Sequence, residues 1–223
     1  VAGITIAIDG PASSGKGTVA RAVARALRYA YVDTGAMYRA VAWTADQRGV
    51  AWDDEAALTT LAQGLRFEFA WDVDLLRVWV DGVDITTALR LDRFGTGASL
   101  VSKLPGVRTA LLGLQRDLGA RGAVVMDGRD IGTVVLPDAQ LKIYLDADVS
   151  ERARRRHEEL IERGELVHFD EVLAALQERD RQDMERSVAP LKPAADAVRL
   201  DSTELTPRQV VDRVLSAARE RGA

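Results

Sequence analysis

The chain of 223 residues contains no cysteine, which excludes disulfides, thiolate nucleophiles and Cys-ligated zinc. Its only histidines are His157 and His168, and a structural metal is not expected. Apolar runs stop at strand length, so no membrane span is expected. The first eight residues lack a basic leader and a small-residue cleavage site, which together with the missing span points to a soluble cytoplasmic protein. Cationic excess is missing too: 30 Lys plus Arg stand against 34 Asp plus Glu, a net charge of -4. That balance is a poor start for binding a polyphosphate backbone, and nucleic acid is not an expected partner. Asparagine is absent and lysine scarce, at 4 against 26 arginines. The bias fits a GC-rich genome or a hot habitat and is silent on activity.

What is present, 47% hydrophobic and 29% charged residues, suffices to bury one core as a single domain with insertions. Residues 4–9 form a short apolar run with β-branched side chains. A Gly/Ser-rich turn follows, then residues 16–29, where Val19, Ala20, Val23, Ala26 and Leu27 recur at helical spacing. The alternation repeats: 31–33 before a helix over about 35–48, then 123–127, then 141–146 before a helix to 163, and 198–201 before a last helix. Short apolar strands between helices predict an α/β fold with a parallel sheet covered on both faces. Thr206, Pro207 and Gln209 read as a capped helix start, with Val210, Val214, Leu215 and Ala218 on the buried face; Asp148 with Glu151 reads as another start. Between 65 and 85 the period changes to two. Leu65, Phe67 and Phe69 alternate with Arg66 and Glu68 ahead of the Asp81-Gly82 turn signal, predicting an antiparallel insertion of two or three strands. Such an insertion is either decorative or a clamp for a second substrate.

Gly10-Pro11-Ala12-Ser13-Ser14-Gly15-Lys16 matches G-x-x-x-x-G-K between an apolar strand and an amphipathic helix, the context its mechanism requires. The bland reading is a Gly/Ser turn that caps a helix. In the functional one the glycines let backbone N–H groups turn toward a polyphosphate, the helix N-terminus adds partial positive charge, and Lys16 reaches the β and γ phosphates. The phosphate-binding set is then Gly10, Ser13, Ser14, Gly15, Lys16, Gly17 and Thr18. Gly17 stands where the common motif carries the Ser or Thr that ligates magnesium, so the metal is expected on phosphates and waters, helped by a carboxylate at a later strand end. The departure disfavours GTPases and motor ATPases, and a chain without asparagine cannot carry the Asn-Lys-x-Asp guanine signature. Nucleoside and nucleotide kinases remain.

At the second strand end, Asp33 or Thr34 can cap the following helix, with Arg39 just over one turn on. This is either an anion grip or ordinary capping beside a solvated arginine. A third strand ends in Asp127-Gly128-Arg129-Asp130, charges of both signs at the edge where such sheets bind ligands. Arg152, Arg154, Arg155 and Arg156 follow the fourth strand. Facing the phosphate loop, some of them would neutralise the transferring phosphoryl group, with Arg152 and Arg156 on one helical face and Arg186 arriving from the far side of a lid. The alternatives are a solvated face paired with Glu158, Glu159 and Glu162, or a small nucleic-acid patch. Arg179, Asp183 and Arg186, at i, i+4 and i+7, predict one helix face with two cations and a carboxylate; its bland form is a salt-bridge ladder.

Together the Gly15-Lys16-Gly17-Thr18 loop, Asp-Thr-Gly-Ala-Met-Tyr-Arg at 33–39, Asp-Gly-Arg-Asp-Ile-Gly-Thr-Val-Val at 127–135, Glu-Arg-Asp-Arg-Gln-Asp at 178–183 and Ala-Pro-Leu-Lys-Pro-Ala-Ala-Asp at 189–196 resemble the bacterial cytidylate kinase family. The resemblance spans nearly the whole chain, and five segments in this order make it specific. It implies one P-loop kinase domain over 1–223, with a monophosphate-binding region at 35–100 carrying the β-rich insertion at about 65–90, and a helical lid at 150–190. It further implies that Arg39 and Arg129 grip the monophosphate, that Ser99, Arg108 and Asp130 read the pyrimidine, that Arg179 and Asp183 hold the ribose, and that Thr34 brings a hydroxyl near the acceptor. By analogy with related monophosphate kinases, Asp127 orients magnesium-bound water.

The implied reaction moves the γ-phosphoryl of ATP, with Mg2+, to CMP or dCMP. Lys16, Arg129, Arg152, Arg156 and Arg186 are its candidate catalytic cations, and the anionic acceptor needs no strong base. A carboxylate at Asp130 rewards the exocyclic amine of cytosine over the carbonyl of uracil. Lid closure is expected to exclude water, and nothing in the sequence forces an interface, so a monomer is expected. Two alternatives stay open: a kinase for another small acceptor such as UMP, AMP or shikimate, and a nucleotide-binding module without catalysis.

Overall fold

The structure, a computed structural model, describes residues 3–72 and 75–223. The leader reading touches residues 1 and 2, and the alternating stretch includes 73 and 74; these four lie outside the described residues. Along the chain run β1 (Thr5–Asp9), α1 (Lys16–Leu27), β2 (Ala30–Asp33), α2 (Thr34–Gln47), α3 (Glu55–Gly64), β3 (Phe67–Asp72), β4 (Leu75–Val80), β5 (Val83–Asp84), α4 (Asp92–Val101) and α5 (Pro105–Ala120). Then come β6 (Val124–Gly128), β7 (Leu141–Asp146), α6 (Val149–Glu162), α7 (Phe169–Glu185), β8 (Val198–Asp201) and α8 (Pro207–Arg219). The chain folds as two compact units: one holds residues up to Val32 and from Leu118 onward, the other Asp33–Asp117. No helix among the described residues is long and apolar enough to cross a membrane.

The first unit is built on a five-stranded sheet in the order β2-β6-β1-β7-β8. β1 pairs in parallel with β6 and with β7, and β7 with β8. Ile6, Ala7 and Ile8 are completely buried, which explains why the run at 4–9 is apolar without alternation: helices cover both faces of a central parallel strand. α1 buries Val19, Ala20, Val23 and Ala24. Its inward face thus takes Ala24, where spacing pointed to Ala26 and Leu27. α8 is capped as expected, Thr206 Oγ1 accepting from the Gln209 N–H and Gln209 Oε1 from the Thr206 N–H. Asp148 caps α6 through the Ser150 N–H at 2.8 Å, while Glu151 turns instead to Arg154 and Arg155. The chain leaves β1 toward one side of the sheet and later passes it to reach β7 on the other, so the carboxyl end of β1 lies at a reversal where open α/β sheets bind ligands.

In the second unit the insertion has three antiparallel strands in the order β3-β4-β5. Asp81 and Gly82 both take positive φ, 50° and 81°, the hairpin geometry that an Asp-Gly pair favours. Val78, Val80, Ile85 and Leu89 pack with Ala36 and Ala40 of α2, and Phe67 and Phe69 close the cluster. Helices α3, α4 and α5 have no counterpart in the sequence reading. α4 approaches α2 through Gly97, where a Cβ would lie 2.8 Å from that of Ala42.

Candidate active site

The phosphate loop runs from the end of β1 to the first turn of α1. Gly10 has φ 157°, and a Cβ there would lie 2.0 Å from the Leu145 carbonyl oxygen, so only glycine fits. Ser13 and Gly15 also adopt positive φ, 58° and 86°. Lys16 is 9% exposed, and its Nζ donates to the Pro11 carbonyl at 3.0 Å. Burial pushes its ammonium down from 10.5 to about 7, and the Arg129 guanidinium pushes the same way against Asp127 and Asp183. A polyphosphate brought to the loop supplies the negative charge that restores the lysine. Ser14 Oγ is buried without a hydrogen-bond partner, Gly17 begins the helix with Lys16, and Thr18 is exposed.

The end of β6 carries the second group. Asp127 is buried and accepts from Tyr31 Oη at 2.8 Å. Arg129 Nε donates to Asp183 Oδ2 at 2.8 Å. Burial opposes both charges, yet their attraction wins and holds the Asp183 carboxyl below its ordinary range and the Arg129 guanidinium above its own. Arg186 pairs with Asp130 at 3.2 Å. Arg179 and Asp183 lie on α7 as the spacing implied, but Arg186 is the residue that caps the helix, in extended conformation. It therefore leaves the i+7 face and turns back to the Ala189 carbonyl.

Spacing alone could not single out Asp9, Asp180 or Tyr31. Asp9 accepts from the Ile131 and Gly132 N–H groups, each at 2.8 Å, tying β1 to the segment that follows Asp130. Burial pushes its carboxyl up to about 6, with nearby Asp130 adding to the rise and the two backbone bonds opposing it. Its only signal was an acid at a strand end beside the loop.

The arginines of α6 separate into different roles. Arg152 is buried, donating to the carbonyls of Ala147 and Ala12 and to Asp180. Arg154 forms a solvated ladder with Glu151 and Glu158. Arg155 reaches Glu151 and the Ser202 carbonyl, and Arg156 pairs with Glu159 at 2.7 Å.

The remaining sequence candidates belong to the second unit. Asp33, not Thr34, caps α2, accepting from the Ala36 N–H at 3.0 Å, and Arg39 binds the same carboxylate at 2.7 Å. Thr34 is buried at the helix start. Arg108 is buried over the Tyr38 ring, 5.7 Å from its centroid. Ser99 Oγ on α4 is buried with no hydrogen-bond partner.

Among the described residues no three Asp, Glu or His side chains gather as a metal cage. A Cβ at Gly17 would lie 3.8 Å from Asp127 Oδ2 and 3.5 Å from Tyr31 Oη. Gly17 thus keeps open the space between loop and carboxylate. One buried carboxylate beside a phosphate loop suits hydrated magnesium carried chiefly by nucleotide phosphates.

A glycine-bounded loop at the carboxyl end of a central parallel strand, with a buried lysine opening the next helix, defines a P-loop phosphotransferase. The profile of the family described as cytidylate kinase matches residues 6–220. The chain belongs to the cytidylate kinase family, and it is a nucleoside monophosphate kinase. It is 47% identical to the cytidylate kinase of Citrifermentans bemidjiense over 219 residues, 98% of this chain and 94% of that one. It is 48% identical to the cytidylate kinase of a Geobacillus species over 218 residues, 98% of this chain and 97% of that one. An uncharacterized protein from Eubacterium ventriosum of known structure shares the overall fold, with a TM-score of 0.51 at 11% identity, covering 97% of this chain and 98% of that one.

Proposed function

We propose that this kinase transfers the γ-phosphoryl of ATP to the 5′-phosphate of CMP or dCMP, giving ADP and the cytidine diphosphate. The observation that carries the reading is the cluster formed by the start of α1, the end of β6 and α7, where Lys16 feels the charges of Arg129, Asp127, Arg179 and Asp183. Such a cluster stabilises charge that moves between two phosphates, as direct phosphoryl transfer requires. The acceptor is already an anion, so positioning and charge cancellation suffice.

In this reading the loop from Gly10 to Thr18 cradles the donor phosphates and Lys16 follows the transferred group. Arg39 and Arg129 hold the acceptor phosphate, Arg179 and Asp183 the ribose, and Thr34 stands near the acceptor. Ser99, Arg108 and Asp130 read the base, and Arg186, bonded to Asp130, steadies that carboxylate. Arg156 of α6, paired with Glu159, is assigned to approach the transferring phosphoryl. Asp127 would hold the water shell of magnesium, which when bound supplies charge neutralisation to the phosphates. The test is ADP release with ATP and magnesium for CMP, dCMP, UMP, dTMP, AMP and GMP in turn, beside a control without acceptor. ADP formed with CMP and dCMP well above the others is the expected result, and no acceptor exceeding the control refutes the reaction.

A further inference from the structure

Ala12, the third residue of the phosphate loop, is held from three directions by α6 and α7. Its N–H donates to Asp180 Oδ1 at 3.4 Å, and its carbonyl accepts from Arg152 Nη1 at 3.1 Å. The residue is 3% exposed, packed with Ala153, Leu160, Val172 and Leu176. Arg152 Nη1 also donates to Asp180 Oδ2 at 2.6 Å, and Arg152 Nε to the Ala147 carbonyl at 2.9 Å. The two side chains are 6% and 9% exposed. A buried ion pair pays a desolvation penalty and persists only where further hydrogen bonds satisfy it. Here two of those bonds go to the backbone of the loop, on either side of one residue.

We propose that Arg152 and Asp180 are positioning residues for the donor phosphates, setting the peptide planes around Ala12 and with them the aim of the loop N–H groups that follow. The inference rests on the reading of this loop as the ATP site. It gives Arg152 a role distinct from contact with the transferred phosphoryl, with Nε and Nη1 bonded to Ala147, Ala12 and Asp180. It also gives α7 two anchorages: Asp180 grips the loop, while Asp183 one turn on grips Arg129 at 2.8 Å. Donor-side backbone and an acceptor-side cation are thus braced by a single helix.

Removing Arg152 alone strands a buried carboxylate and threatens folding. The informative variants are therefore the apolar pair Arg152→Met with Asp180→Leu, and the polar singles Asp180→Asn and Arg152→Lys. Each is compared with the unsubstituted chain for thermal midpoint, ATP binding by calorimetry, kcat, and KM for ATP and for CMP. The apolar pair is expected to fold with a midpoint within about 5 °C of the original and to weaken ATP binding about tenfold or more, with KM for CMP changed less than about twofold; Asp180→Asn falls between. Unchanged ATP affinity in the folded double variant overturns the proposal. So does an Arg152→Lys variant that loses kcat while binding ATP normally, because that places the guanidinium on the reacting phosphoryl. Should the double variant not fold, the polar singles decide on the same ATP-affinity criterion. ATP binding needs no acceptor, so an original chain that binds ATP and leaves CMP unphosphorylated overturns the reaction and leaves the pair to be judged on its own.

Discussion

At Lys16 two unfavourable effects coincide, burial and a neighbouring guanidinium, and the negative charge of an arriving phosphate offsets both. The ammonium contact strengthens as charge moves onto the bridging oxygen, so Lys16→Ala is expected to lower kcat at least about a hundredfold. ADP release under saturating substrates measures it, and near-normal turnover refutes the role. In the proposed reading Asp130, paired with Arg186 at 3.2 Å, presents its carboxylate to the base. Asp130→Ala is expected to narrow the CMP-to-UMP ratio of kcat/KM by about ten- to a hundredfold, the worth of one good contact of roughly 1–3 kcal/mol. An unchanged ratio in a folded variant moves base reading to Ser99 and Arg108. Gly10 tolerates no side chain against the Leu145 carbonyl, which makes Gly10→Ala a loop-distorting change whose first expected symptom is lost ATP binding.

Elements whose signals are local were legible. The capping box at Thr206 and the Asp81-Gly82 hairpin each specify structure within a few residues. Removal of the Thr206 hydroxyl should cost about 1 kcal/mol, seen as a thermal midpoint lowered by about 2–4 °C with kcat unchanged. An unaltered midpoint would show that the α8 end is held by packing alone. α3, α4 and α5 escaped notice because the apolar stripes they bury are short: Leu58 with Leu61 and Ala62, Phe94 with Ala98 and Val101, and Val107 with Leu111. Each is only two or three residues long and is interrupted or flanked by small or polar positions such as Gly97 and Gly106, where a Cβ would meet Ala42 and Thr59. The Arg186 reading failed for a different reason. Helical spacing was extended past Glu185, where the chain turns to the extended form at Arg186 and swings the guanidinium to Asp130.

For the molecule as a whole, the contiguous loop motif announced the site, whereas the groups that brace it are dispersed: the bond from Ala12 to Asp180 spans 168 positions, beyond any periodicity. Two buried charges near that loop also shape stability against pH. Asp9 titrates near 6 when folded and near 3.8 otherwise. Between these values the folded state holds a proton the unfolded chain has lost, so this contribution is full below about pH 4 and disappears as pH rises through 6. Lys16 works in the other direction. From about pH 7 to 10.5 the unfolded chain holds the proton, so stability rises with pH on its account. Urea midpoints should show the Lys16→Met variant losing ground to the original chain between pH 7.5 and pH 9.5; parallel curves would place the lysine in an ordinary solvated state. The pairing of Thr5 with Val124 bears on how the protein is made. At about 5–20 residues per second, β1 leaves the ribosome on the order of ten seconds before β6 and β7, its partners on both sides. Asp33–Asp117, by contrast, is continuous and has its three-stranded sheet and helices complete by then. Nascent chains therefore pass through a stage in which every residue of one unit has been made while an apolar strand waits unpaired, the stage at which a chaperone has most to do.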